Sequence, residues 1–124
     1  MGLRDENLRG VIDGSYEFLN TVLFTGLNLD VKEYENFDEF LDFKKNLKQK
    51  IENGKFKEGK EEIFKKLENI AENRRNLAID ILRVAFWFYV KLNELSDKVL
   101  EEGGFTRLDI LEGMQEIENI LTNG

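Results

Sequence analysis

Residues 60–102 read KEEIFKKLENIAENRRNLAIDILRVAFWFYVKLNELSDKVLEE, a run without proline between Gly59 and Gly103. Counting from Phe64 in threes and fours gives Leu67, Ala71, Arg74, Ala78, Ile81, Ala85, Phe88, Leu92, Leu95 and Val99. That spacing places side chains on one face of a helix. Arg74 is the one charged residue on the seam. The pattern predicts a single helix over about 60–102, some 65 Å long at about 1.5 Å per residue. The fold class is all-α: an antiparallel bundle of about four helices with this long helix at its centre. A kink near Asn73–Asn76 is the other solution, although no Gly or Pro marks one.

Within this stretch, residues 84–90 (VAFWFYV) are apolar all the way round. Such a helix must be covered on every side. Ile79, Phe86, Trp87 and Val90 point away from the alanine seam. Either helix 1 covers them, or they meet another chain, most simply a second copy across a two-fold axis. The second option defines a partner-binding patch of Ile79, Phe86, Trp87 and Val90 in a homodimer, with aromatic residues of the kind found at interface centres.

Outward from the long stretch, helix 1 is expected over Asp5–Phe24, with Leu8, Val11, Ile12, Ser15, Leu19, Val22 and Leu23 at helical spacing and Phe18 widening the stripe. Gly10 and Gly14 sit four apart, where a neighbouring helix can approach closely. Residues 27–36 form a connector in which Asp30 with Glu33, and Asn36 with Glu39, each resemble a capping box. Helix 2 starts near Val31 or Phe37 and ends at Asn53-Gly54. Lys55–Gly59 is read as a short turn anchored by Phe56. A last helix follows Gly103-Gly104, capped by Thr106 with Asp109 in the third position.

The chain's 124 residues suit one domain, 1–124, and 41% hydrophobic residues with ten Phe are enough for a buried core. There is no Cys and no His, which removes thiolate and imidazole chemistry and the common zinc ligands. No catalytic, cofactor or metal constellation is expected, and the chain is read as non-enzymatic. The apolar run 84–90 is far short of the ~20 residues of a membrane span. MGLRDENLRG lacks the apolar core of a signal peptide. A cytoplasmic protein is therefore expected.

The formal net charge is −7, unevenly spread. Residues 44–66 hold nine Lys against four Glu, whereas residues 93–124 hold eight acids against two bases. Two readings follow. The preferred one is a helical interaction, assembly or regulatory protein, homo-oligomeric through its long helix. The alternative is a nucleic-acid-associated accessory protein whose Lys-rich hairpin (Lys44, Lys45, Lys48, Lys55, Lys57) and arginines (Arg74, Arg75, Arg83) contact phosphate. Residues 75–80, RNLAID, also resemble the Arg-Asn-x3-His signature of HEPN-family helical domains, with Asp80 in place of the His. That resemblance would imply a non-catalytic member. Read without it, Asp80 and Arg83 are an i,i+3 ion pair.

Overall fold

The requirement that residues 84–90 be covered on every side is met inside one chain. The computed structural model describes residues 5–73 and 75–123. It contains α1 (Asp5–Phe24), α2 (Leu41–Glu52), α3 (Phe56–Asn73), α4 (Arg75–Asn93), α5 (Asp97–Glu102) and α6 (Arg107–Asn123). Two 3-10 segments, Thr25–Leu27 and Val31–Asn36, join α1 to α2. No strand occurs among the described residues. Val84 through Val90 are all buried, with Val84, Phe86 and Phe88 fully so.

The expected single helix over 60–102 is instead three helices, α3, α4 and α5. A Cβ placed on Gly59 would stand 2.8 Å from Cε1 and Cζ of Phe88. A straight helix would hold those two residues more than about 40 Å apart. α3 therefore folds back antiparallel to α4. A straight rod would leave α4 without the neighbour that α3 becomes. The second break follows Asn93: Ser96 is extended, its side chain accepts from the Val99 amide, and α5 starts anew. Gly59, expected to close a turn, lies inside α3, whose first residue, Phe56, is buried.

Contacts along the chain give the directions of the helices. Asn46 of α2 donates to Glu62 of α3 at 3.3 Å, and the Lys66 ammonium lies 4.8 Å from the Phe43 ring centroid; the two helices are antiparallel. Tyr16 of α1 meets Phe86 of α4 at 5.6 Å between ring centroids, while Leu23, a turn and more later in α1, meets Arg83; α1 is antiparallel to α4. Arg107 at the start of α6 reaches Asn93 at the end of α4, and Gly113 of α6 seats the Tyr89 ring; α6 is antiparallel to α4 as well. α4 is thus the central helix. Adjacent aromatics on it serve different neighbours, Phe88 entering the space at Gly59 of α3 and Tyr89 that at Gly113 of α6.

The predicted ends are largely kept. α1 runs over Asp5–Phe24 as expected. Asn53 and Gly54, the latter at φ 73°, close α2. Thr106 and Asp109 exchange hydrogen bonds at the start of α6. The Asp30–Glu33 capping box forms, but on a 3-10 segment. α2 begins only at Leu41, after Phe40 in the left-handed region at φ 52°, because Glu39 is bonded to Tyr34 and Arg83 rather than capping a helix from Asn36.

The glycines on α4's neighbours yield a test. A Cβ at Gly113 would stand 2.2 Å from Cζ of Tyr89. Gly113→Ala therefore lowers stability by about 1–3 kcal/mol through overpacking, although alanine favours helix by about 1 kcal/mol. Gly14→Ala, with nothing within 4 Å, raises stability by up to about 1 kcal/mol. Urea unfolding of the two variants checks the pair, and an unchanged or raised midpoint for Gly113→Ala contradicts the packing described.

Candidate interaction surfaces

The patch expected on the long helix lies in the core. Phe86, Trp87 and Val90 are 0%, 1% and 5% exposed. α1 covers Phe86, which meets Tyr16 at 5.6 Å and Phe24 at 6.1 Å between ring centroids. Of the four residues only Ile79, 43% exposed, remains outside. This corrects the expectation of an open partner surface, and the reason is the fold-back. It leaves α1 free to lie along the face of α4 that α3 does not use. Trp87 Nε1 is buried without a hydrogen-bond partner.

Of the six described side chains expected to contact phosphate, three are engaged elsewhere and three are exposed. Lys44 is 1% exposed. Its ammonium donates to the backbone oxygens of Tyr34 and, at 2.9 Å, of Phe37, and it lies 3.7 Å from the Tyr34 ring centroid. Arg83 donates from Nε to the Leu23 carbonyl at 2.7 Å and from Nη1 to Asp80 at 2.8 Å and to Glu39 at 3.3 Å. The expected Asp80–Arg83 pair is therefore present. Glu39 also accepts from the Tyr34 hydroxyl at 2.5 Å. Lys48 is paired with Glu35 at 2.9 Å, and Lys91 joins the same carboxylate at 3.1 Å. Lys45, Lys55 and Lys57 are exposed. Arg74 and the side chain of Arg75 lie outside the described residues.

Arg107 was not legible as a site. Its Nη1 donates to the carbonyl oxygen and the side-chain oxygen of Asn93 at 2.7 and 2.9 Å, Nη2 to the Leu95 carbonyl, and Nε to Asp97 at 2.9 Å. Lys44, Arg83 and Arg107 share one role. Each brings a positive charge to carbonyls at the end of a helical segment, where the backbone is electronegative and acceptors lack intrahelical donors. α1 and the 3-10 segment have no basic residue in their own last turns, so the cation is supplied from a distant element.

These environments shift protonation. Burial lowers the Lys44 ammonium to about 8, with Glu39, Glu35 and Asp38 opposing the fall. Burial, then the hydrogen bond to Glu39, raises the Tyr34 hydroxyl. Burial and Glu39 raise Asp80 against the pull of Arg83. The hydrogen bond from Lys48 is the largest influence lowering Glu35.

Two open surfaces among the described residues bear on these readings. A groove of about 530 Å³ runs between α3 and the start of α6, with Phe64 and Phe105 among its lining. Lys57, Lys60 and Lys65 share it with Glu61, Glu68 and Asp109, so its formal charges cancel. The second is the outward side of α1, where Val11, Phe18 and Val22 are 42%, 45% and 49% exposed. Val11 and Val22 were expected inside. The apolar stripe of α1 is wider than the area α4 and α6 cover, and the surplus faces solvent.

Among the described residues no cluster of carboxylates is arranged to hold a metal ion, and no helix is long and apolar enough to cross a membrane. Residues 8–122 match a family described as "Family of unknown function (DUF6483)". No curated protein and no solved structure matches the chain.

Two tests follow from the cations. Folded Lys44 titrates near 8 and the unfolded side chain at 10.5, so between these values the unfolded state binds more protons and stability rises with pH. The clean window is pH 8–10, below the ordinary tyrosine value of 10.0, above which unfolded Tyr34 and Tyr89 ionise and oppose the trend. Denaturant midpoints across that window should climb for the native chain and stay flat for Lys44→Met. Equal slopes would show that Lys44 is not buried as a cation. Separately, Arg107→Gln should lose about 1.5–3 kcal/mol of stability, and Arg107→Lys should recover only part of it, since a single ammonium cannot reach the same spread of acceptors. Full recovery by lysine in thermal unfolding would contradict the guanidinium geometry.

Proposed function

Since the chain belongs to the DUF6483 family, whose description names no activity, we propose from its own surfaces that it is a non-enzymatic helical interaction protein acting through the outward side of α1. The observation that carries this reading is the exposure of Val11, Phe18 and Val22 together on one side of a helix whose other side is core. Large apolar side chains grouped on a surface mark contact sites for other macromolecules. The role expected of Ile79, Phe86, Trp87 and Val90 passes to this face, because three of those four are inside the molecule.

A polyanion contact has weaker support. Lys44 is buried and Lys48 is ion-paired. The lysines of the α3–α6 groove stand beside three carboxylates. Phosphate binding draws on an uncompensated positive surface, for which the hairpin offers the exposed Lys45, Lys55 and Lys57.

Photoreactive side chains separate the two readings. Thr21 on α1 and Lys55 after α2 are both exposed. With the full chain in its native cells, a photoreactive residue at Thr21 is expected to give covalent protein adducts and one at Lys55 none. Nucleic-acid adducts from Lys55, with nothing from Thr21, would overturn the assignment.

A further inference from the structure

We propose that the occupant of the α1 face is a second copy of the same chain, with the two α1 helices crossing antiparallel about a two-fold axis on the outward face between Gly14 and Phe18, at the level of Tyr16 along the helix. This rests on the outward face of α1 being the interaction surface. Residues four apart form a ridge along a helix, and one such row here is Gly10, Gly14, Phe18 and Val22, all exposed. The row is half hollow and half raised. A Cβ at Gly10 or Gly14 would meet nothing within 4 Å, whereas Phe18 and Val22 stand 45% and 49% exposed.

A two-fold contact requires a surface complementary to itself. Turned about that axis, the row meets that condition. Phe18 of each copy comes to lie over Gly14 of the other, and Val22 over Gly10. Knobs and hollows match in spacing because both follow the same four-residue step. Interlocking rows of this kind cross at about −50°. Val11, 42% exposed, extends the apolar area beside the row.

Area and charge define the kind of dimer. A helix of 20 residues is about 30 Å long and shows a face roughly 10 Å wide. The pair therefore buries about 600 Å² in total, below the ~1,200 Å² of stable complexes. The dimer is accordingly weak and concentration-dependent. Each copy carries −7, and Asp13 and Glu17 are exposed on α1. Salt screens that repulsion, so dimerisation strengthens as salt rises, the opposite of an ion-paired contact.

Sedimentation of the full chain from micromolar to millimolar concentration, at low and high salt, is the test. The expected result is a monomer–dimer equilibrium that shifts to dimer with concentration and with salt. Phe18→Ser should weaken it by about ten-fold or more. Gly14→Leu should do the same. It adds apolar surface and meets no neighbour within the monomer, but it fills the hollow. Circular-dichroism melting establishes that both variants fold. The chain has no cysteine, so Glu17→Cys near the axis should cross-link to its mate while Asn7→Cys, far from it, should not. A Gly14→Leu variant that dimerises as well as the native chain overturns the pairing, as does a dimer weakened by salt. A native chain that stays monomeric throughout also overturns it; the wider α1 reading then falls only if Thr21 gives no adducts either.

Discussion

Everything in this structure depends on covering one helical apolar segment, Val84–Val90 of α4, on every side at once. A single neighbour buries about a third of a helix's circumference, so a helix without a polar side needs several. α3, α1, α6 and the 31–40 connector supply them. Two glycines make the closest approaches possible: the Phe88 ring occupies what would be a side chain at Gly59, and the Tyr89 ring does so at Gly113. The bulk of the aromatic residues is accommodated by its absence on the neighbouring helices. Packing to native density requires that kind of pairing of large with small.

The charged residues then serve the ends of the helices. Lys44, Arg83 and Arg107 donate to backbone carbonyls at the ends of other elements. In doing so they tie separate elements together: the connector to α2, α1 to α4, and α4 to α6. A cation buried on carbonyls loses hydration but regains donors' partners in a geometry that water no longer competes for. The same act withdraws Lys44 from the surface of the lysine-rich region, whereas Lys45, Lys55 and Lys57 stay exposed.

Much of the fold can be read directly. The close of α2 at Asn53-Gly54 and the Thr106–Asp109 cap each follow from local chemistry, because capping and left-handed turns involve neighbours in sequence. The division of residues 60–102 does not. A three-four seam continues across Arg74 in register, so periodicity cannot distinguish one rod from two helices folded together. A partial signal lies at Phe56 and Ile63, seven apart and both buried, which carries helical spacing back through Gly59 on the row beside the seam. The candidate surfaces were legible in composition but not in location. Exposure is a property of what neighbours leave uncovered, and Phe18 and Phe86 look alike until the neighbours are placed.

The sequence alone determined that the chain is helical, where α1 and α6 run and where α2 closes, and that residues 84–90 had to be enclosed. Those are consequences of side-chain spacing, caps and turn residues, all of which act over a few residues. Tertiary structure decided what does the enclosing. It placed α1 over Phe86, turned α3 back onto Phe88, buried Lys44 and left Val11, Phe18 and Val22 outside. The physical reason is that burial and ion pairing depend on contacts between residues distant in the chain, and several arrangements satisfy the same local pattern until the fold-back selects one.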